Sequence, residues 1–320
     1  MPALITLTPN PALDLATTTE RVAPTHKLRC GPVRRFAGGG GINVARVLHR
    51  LGADVQAWAL AGGAAGAQVQ QLLADEGVPT VLRPIAGDTR ENFSVVETHT
   101  GQEFRFVLPG PTLQAAEWQG CLDALATLPT PPRWLIASGS LPPGTPDDFY
   151  ARLACALATQ GTPTRLVVDT SGPPLAAALQ AGVALVKPSL RELRELVQQP
   201  LEHMADWCAA AQSLVAHGAA ETVALSVGEQ GAVLATRAGV WQAPALNVPA
   251  TTGTTGAGDC FLAALVWALD RGDAPAEALR WGVAAGAAAL LHPGTTLAQA
   301  DDVQRLVHSV PAPVAVTTQP

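Results

Sequence analysis

Asp259 stands where a carboxylate could do chemistry. It closes the run TTGTTGAGD, Thr251 to Asp259, and opens an apolar helical pattern (Phe261, Leu262, Leu265, Val266, Leu269) that ends at Gly272. Gly253, Gly256 and Gly258 allow the backbone to approach a ligand closely. The N–H groups of Gly256, Ala257 and Gly258, at the positive end of the helix dipole, form a hole suited to a phosphoryl group. A carboxylate beside such a hole suits a general base. It also suits a helix cap, and these residues alone do not separate the two roles. A second glycine run, Gly38 to Gly41, leads into INVARVLHRLG, where Asn43 and Arg46 make it a candidate cradle for a sugar or phosphate. Asp14 comes just beyond the end of a strand-like run, Ala3 to Thr8, which is where α/β sheets bind ligands.

The elements that must position these groups follow from periodicity. Strand-like runs alternate with helical ones: Val55 to Leu60 then a helix to about Glu76, Trp134 to Ala137 then a helix from about Pro146, Arg165 to Val168 then a helix near Leu175, Ala184 to Val186 then a helix from Ser189. Such alternation predicts an α/β fold, a mostly parallel sheet flanked by helices. Glu221 to Val227, Ala232 to Thr236 and Val240 to Ala243 predict an antiparallel edge, and Pro275 to Leu291, apolar almost all round, a buried helix. Two stretches without helical period, about 15–36 and 90–108, predict a small separate sheet, with Asn92 to Thr98 and Glu103 to Leu108 joined at Thr100-Gly101. One domain over 1–310 accounts for all of these, and the tail 311–320 is expected to lack structure. The glycines from Ala61 to Gly66 weakly resemble a dinucleotide turn, but no acidic residue follows about 20 positions on at a strand end, and GxxxxGK[ST] is absent.

Composition narrows the function. The 320 residues carry a net charge of -6, which argues against nucleic acid as a partner. No apolar run approaches the roughly 18 residues that cross a membrane, despite a mean hydropathy of +0.21. The five cysteines are scattered without CxxC spacing, so no disulfide framework or zinc site is expected. Without an export signal, the expectation is a cytoplasmic protein acting on a metabolite.

GGGGINVAR (Gly38 to Arg46) and TTGAGDCFLAA (Thr254 to Ala264), about 215 positions apart, resemble the two signatures of the ribokinase-like sugar kinases, the phosphofructokinase-B family. TLTPNPALD, KLRC, FRFVLPGP, SGSLPPG, LVKPS and GVAAGAAA extend the resemblance over nearly the whole chain, toward the branch acting on fructose 6-phosphate. The resemblance implies a ribokinase-like fold in which the small sheet is a β lid that joins two copies as a homodimer. It implies ATP and Mg2+, with Asp259 as the base and Gly256, Ala257 and Gly258 as the anion hole. Asp14, Gly39 and Asn43 would hold sugar hydroxyls, while Lys27, Arg90 and Ser140 would hold the sugar phosphate, Lys27 from across the dimer. Lys187, Ser226, Gly228, Gly231 and Thr254 would contact ATP, and Glu192 would reach the metal, through water.

Ser189 stands where the family's NxxE motif has Asn, which bears on metal use. The loop His292 to Thr296 lacks an Arg and leaves a monovalent cation such as K+ open. Relatives acting on fructose 1-phosphate or tagatose 6-phosphate usually read GGKG where this chain has Gly40, so 1-phosphofructokinase and tagatose-6-phosphate kinase are the alternatives. A non-catalytic sugar-phosphate sensor is the alternative from another class.

Overall fold

Short β-branched and apolar runs separated by Ala-rich helical stretches build two sheets. The computed structural model describes residues 2–161, 163–249 and 255–316. Its strands are β1 (Leu4–Thr8), β2 (Ala12–Thr19), β3 (Arg34–Gly38), β4 (Val55–Ala61), β5 (Thr80–Pro84), β6 (Arg90–Glu97), β7 (Glu103–Phe106), β8 (Trp134–Ser138), β9 (Arg165–Asp169), β10 (Val183–Val186), β11 (Ala220–Ser226), β12 (Ala232–Thr236), β13 (Gly239–Ala243) and β14 (Val314–Val316). Its helices are α1 (Gly40–Arg50), α2 (Gly63–Asp75), α3 (Ala115–Ala126), α4 (Phe149–Thr159), α5 (Pro173–Ala181), α6 (Leu190–Val197), α7 (Met204–Ala216), α8 (Ala257–Asp270), α9 (Pro275–Ala289) and α10 (Ala300–Val307).

The large sheet runs β14-β13-β12-β11-β10-β9-β8-β1-β4-β5. From β5 to β11 every pairing is parallel, and β12, β13 and β14 add an antiparallel edge. Parallel strands buried on both faces alternate their side chains between two cores. Leu4, Trp134, Ile136, Val55 and Ala57 join the core under α1, α8, α9 and α10, while Ile5, Leu7, Leu135 and Trp58 join the core under α3, α4, α5 and α7. Chain order reverses between β1 and β8, and the crevice beyond that point, at the carboxyl ends of the strands, is the natural ligand site of such a sheet.

The small sheet, β3-β2-β6-β7, is mixed: β2 and β6 run parallel, with β3 and β7 antiparallel on either side. It starts earlier than expected, since β2 begins at Ala12 and Asp14 lies inside that strand rather than beyond a strand end. The register pairs Asp14 with Asn92 and Ala12 with Arg90, so all four share one face. The tail also departs from expectation: β14 pairs antiparallel with β13, because alternate residues of VAV can extend a sheet edge whose donors would otherwise be unpaired. Ala61 to Gly66 is not a dinucleotide turn. A Cβ on Gly62 would lie 2.3 Å from the Gly87 carbonyl and one on Gly63 1.8 Å from the Asp88 carboxylate, so these glycines admit the 85–88 loop.

Glycine is likewise required where α1 meets β1. A Cβ on Gly41 would fall 2.5 Å from the Leu7 carbonyl oxygen and 2.6 Å from Thr8 Oγ1. Gly41→Ala is therefore expected to cost about 2 kcal/mol or more by pushing α1 off the sheet. Gly120→Ala, inside α3 with nothing within 4 Å of the added carbon, should instead stabilise by about 0.5–1 kcal/mol. Thermal denaturation of the two variants beside the parent checks both signs.

Candidate active site

Five strand ends deliver polar residues to the crevice: Asn10 just after β1, Ser138 and Ser140 at β8, Asp169 at β9, Lys187 at β10 and Ser226 at β11. The two glycine turns enter from the helical side. Gly39, at φ 112°, caps α1, and a Cβ there would meet the Thr8 methyl at 2.6 Å. Gly256, at φ 78°, is the left-handed residue before α8. Gly256 has no side chain to cap α8, and among the described residues none caps the N–H groups of Ala257 and Gly258.

Asp259 does not cap its helix. Its Oδ2 accepts from Asn43 Nδ2 at 2.8 Å, across the crevice from α1. Burial raises its pKa to about 7, helped by the negative field of Asp169 and opposed by the Asn43 hydrogen bond and by Lys187. A carboxylate at that pKa is poised to take a proton near neutrality. Lys187 Nζ pairs with Asp169 Oδ1 at 3.1 Å. It also lies 3.5 Å from where a Gly258 Cβ would be, on the edge of the anion hole. Burial pulls the Lys187 pKa down, but Asp169, Asp259 and Glu192 together hold it above its ordinary value, so the side chain is a cation.

The lid closes the other side. Asp14 Oδ1 accepts from Asn92 Nδ2 at 2.9 Å, and burial raises its pKa against the pull of Asn92, Arg105 and Arg90. A cavity between lid and crevice is lined by Asn10, Arg90, Ser140, Thr145 and Thr170 among others. There Asn10 Nδ2 donates to Ser140 Oγ at 3.2 Å, and Arg90 donates to the Asn10 and Leu108 carbonyls at 3.0 and 3.1 Å. Among the described residues, Arg90 Nε, Asn10 Oδ1 and Thr145 Oγ1 are buried without a partner; a bound oxyanion could accept from Arg90 Nε and Thr145 Oγ1, and a water could donate to Asn10 Oδ1.

On the β10–β11 side, Ser189 bridges to Ser226, which places Lys187, Glu192 and the 226–231 turn side by side. Gly231 is at φ 98°, with a Cβ there only 2.0 Å from the Ala243 carbonyl, and Gly228 is at φ 58° facing open space. Ser189 and Glu192 form a capping box: Ser189 Oγ accepts from Glu192 N at 3.3 Å and Glu192 Oε2 accepts from Ser189 N at 2.8 Å. That box occupies Glu192 Oε2, while Oε1 lies 3.9 Å from Arg191 Nη2. The serine that replaces Asn thus keeps α6 capped and Glu192 in place.

Of the expected site residues, Asp14, Gly39, Asn43, Arg90, Ser140, Lys187, Ser226, Gly228, Gly231, Glu192 and Asp259 with its glycine turn line the crevice or flank it. Thr254 lies outside the described residues. Lys27 is exposed in the loop between β2 and β3 and joins neither lining of the crevice. Arg46 is not part of a sugar cradle. It is 2% exposed, with Nε and Nη2 on the Glu76 carboxylate and Nη1 on the Ala37 and Thr295 carbonyls. Three residues of the site were not picked out from the sequence: Asp169, Asn92 and Asn10. Asp169 carried a signal, an acid closing the strand-like run RLVVD, whereas Asn92 needed the lid register.

The comparisons with known proteins agree with this geometry. Residues 10–302 match the model of the pfkB family carbohydrate kinases. An ATP-dependent 6-phosphofructokinase isozyme 2 of Mycobacterium tuberculosis is 46% identical over 98% of this chain and 92% of its own. A 1-phosphofructokinase of Xanthomonas campestris is 37% identical over 83% of each chain. The crystal structure of phosphofructokinase-2 from Escherichia coli in complex with fructose-6-phosphate, 38% identical, superposes with a TM-score of 0.90 over 97% of this chain and 99% of that one. The fold is ribokinase-like, and this chain belongs to the pfkB family of carbohydrate kinases.

Proposed function

We propose that the chain transfers the γ-phosphoryl group of ATP to the C1 hydroxyl of fructose 6-phosphate, giving fructose 1,6-bisphosphate and ADP. The observation that carries this reading is the Asp259 carboxylate, bonded to Asn43, with a pKa of about 7 beside the uncapped start of α8. As the C1 oxygen bonds to the γ-phosphorus, its proton passes to Asp259 and the bond from phosphorus to the β,γ-bridging oxygen breaks. Such a transition state asks for positioning and charge stabilisation, which the N–H groups of Gly256, Ala257 and Gly258 and the Lys187 ammonium supply.

Asp14, Gly39 and Asn43 hold the sugar hydroxyls, and Arg90 and Ser140 hold its phosphate. Ser226, Gly228, Gly231, Thr254 and Lys187 take the nucleotide. Mg2+, with Glu192 reaching it through water, neutralises the triphosphate when bound. A monovalent cation such as K+ near 292–296 belongs to the same proposal, as does a cytoplasmic location; among the described residues no helix is long and apolar enough to cross a membrane.

The chief rival substrate is fructose 1-phosphate. Gly40 speaks for the 6-phosphate, because a Cβ there would stand 2.3 Å from Ser138 Oγ, and a lysine in that position would have to displace the β8 end. The lid presents Phe93 and Phe106 to solvent, 40% and 53% exposed, with Val107 and Leu108 beside them. That apolar face is the proposed homodimer contact, and Lys27 would enter the partner's site from it. Sedimentation should find a dimer at assay concentration; a fully active monomer would remove the contact from the proposal.

A coupled ADP-release assay over fructose, fructose 1-phosphate, fructose 6-phosphate and tagatose 6-phosphate should give the highest kcat/KM with fructose 6-phosphate. A higher value with fructose 1-phosphate overturns the substrate. Arg90→Ala should lose roughly 2–3 kcal/mol of transition-state binding, as for one charge-assisted contact.

Asp259→Asn should lower kcat by about 100-fold or more while ATP still binds. With the parent, kcat should climb as pH rises through about 7, where Asp259 loses its proton. The stability effect has the opposite sense. The folded state holds this proton more tightly than an ordinary Asp of pKa 3.8, so the stability it contributes below that pH is lost by about pH 7. Asp259→Asn should then be more heat-stable than the parent at pH 8, by about 1–3 kcal/mol, and a less stable variant would refute the buried, raised carboxylate.

A further inference from the structure

The segment from Gly294 to Ala298 touches the lid, the anion-hole turn and the buried helices at once. On the lid side, Arg34 Nη2 donates to Thr296 Oγ1 at 3.2 Å, and the position of a Gly294 Cβ lies 4.0 Å from the Phe36 ring and 3.9 Å from Ala16. On the site side, a Cβ on Gly256 would fall 2.4 Å from Leu297 Cδ2, so the Leu297 side chain is packed directly on the turn that opens α8. Leu297 is itself at φ 64°, a left-handed backbone that a leucine adopts only under constraint.

The constraint comes from beneath. Arg46 Nη1 donates to the Thr295 and Ala37 carbonyls at 3.1 and 3.2 Å. Arg50 Nη1 donates to the Thr296 and Ala298 carbonyls at 2.8 and 3.2 Å. Glu76, from the end of α2, pairs with both guanidinium groups at 2.6 and 2.8 Å and so orients them. Its pKa is lowered, the two arginines outweighing the effect of burial. Ala298 N also donates to Cys260 Sγ at 3.4 Å, one residue past Asp259. A guanidinium offers several donors in a fixed plane, so it can hold an anion and two carbonyls together, which an ammonium cannot do in the same geometry.

From this we infer that Arg46 and Arg50, oriented by Glu76, are positioning residues for the kinase reaction proposed above. They hold the 294–298 segment in the strained form that presses Leu297 onto Gly256, and thereby fix the N–H groups of Ala257 and Gly258 where the transferring phosphoryl needs them. Neither arginine touches substrate. Their contribution is the placement of donors that act only in the transition state, so their loss appears in kcat rather than in KM.

The test is Arg46→Lys, which keeps the charge facing Glu76 and removes the planar fork. The expected result is a folded protein whose kcat on fructose 6-phosphate falls about 10- to 100-fold with both KM values within about threefold of the parent. In the ligand-free protein, amide hydrogen exchange should quicken at 294–298 and also at 256–259. A role confined to stability would leave 256–259 unmoved. A folded Arg46→Lys with parental kcat and parental exchange at 256–259 overturns the inference. If Arg46→Lys does not fold, Arg50→Lys, whose side chain is 19% exposed, decides by the same two readouts. A parent protein inert toward every sugar phosphate would sink the proposed reaction, while the exchange comparison, which needs no substrate, would still judge the positioning role.

Discussion

The structure is built around the need to keep several carboxylates in one crevice without letting their charges drive each other out. Asp259 feels the charges of Asp169 and Asp14, and Lys187 is held as an ammonium by Asp169, Asp259 and Glu192. The chain has two lysines in all, and this one is held by Asp169 at the rim of the anion hole. Repulsion and burial together leave Asp259 with a pKa of about 7, which is what a base acting near neutrality requires.

The meeting of two helix starts at the crevice fixes where glycine must sit. Gly39 and Gly256 take left-handed conformations that place two helix starts against the crevice, while Gly40 and Gly41 have no room for a side chain against β8 and β1. The hydrogen bond from Asn43 to Asp259 spans 216 residues of sequence and joins the two helix starts. Close packing, rather than flexibility, is what these glycines provide.

The same economy governs the lid and the strap beneath it. Pairing β2 with β6 in parallel puts Asp14, Asn92 and Arg90 on one face and leaves phenylalanines on the other, so a single sheet has one polar and one apolar side. Arg46, which by type and position in α1 could have met a phosphate, is turned away from the crevice because Glu76 and two carbonyls surround it in the core. Its place in a glycine-led helix start therefore gave no guide to its partner.

The sequence by itself determined the parallel sheet, the antiparallel edge, the two glycine turns and Asp259 as the carboxylate in the first turn of α8. These are local properties: alternation, helical period and the steric freedom of glycine act within about ten residues. Lys187 and Asp14 were legible because each lies in or next to a strand end or a matched motif. Tertiary structure alone decided that Asp259 is bonded to Asn43 rather than capping α8, that Asn92 meets Asp14 and Asn10 meets Ser140, and that β14 pairs on the sheet edge. It also decided the role of Arg46. In each of these cases the deciding partner is far away in the chain, and a buried polar group takes whichever distant partner the packing brings within hydrogen-bond reach, which no local pattern encodes.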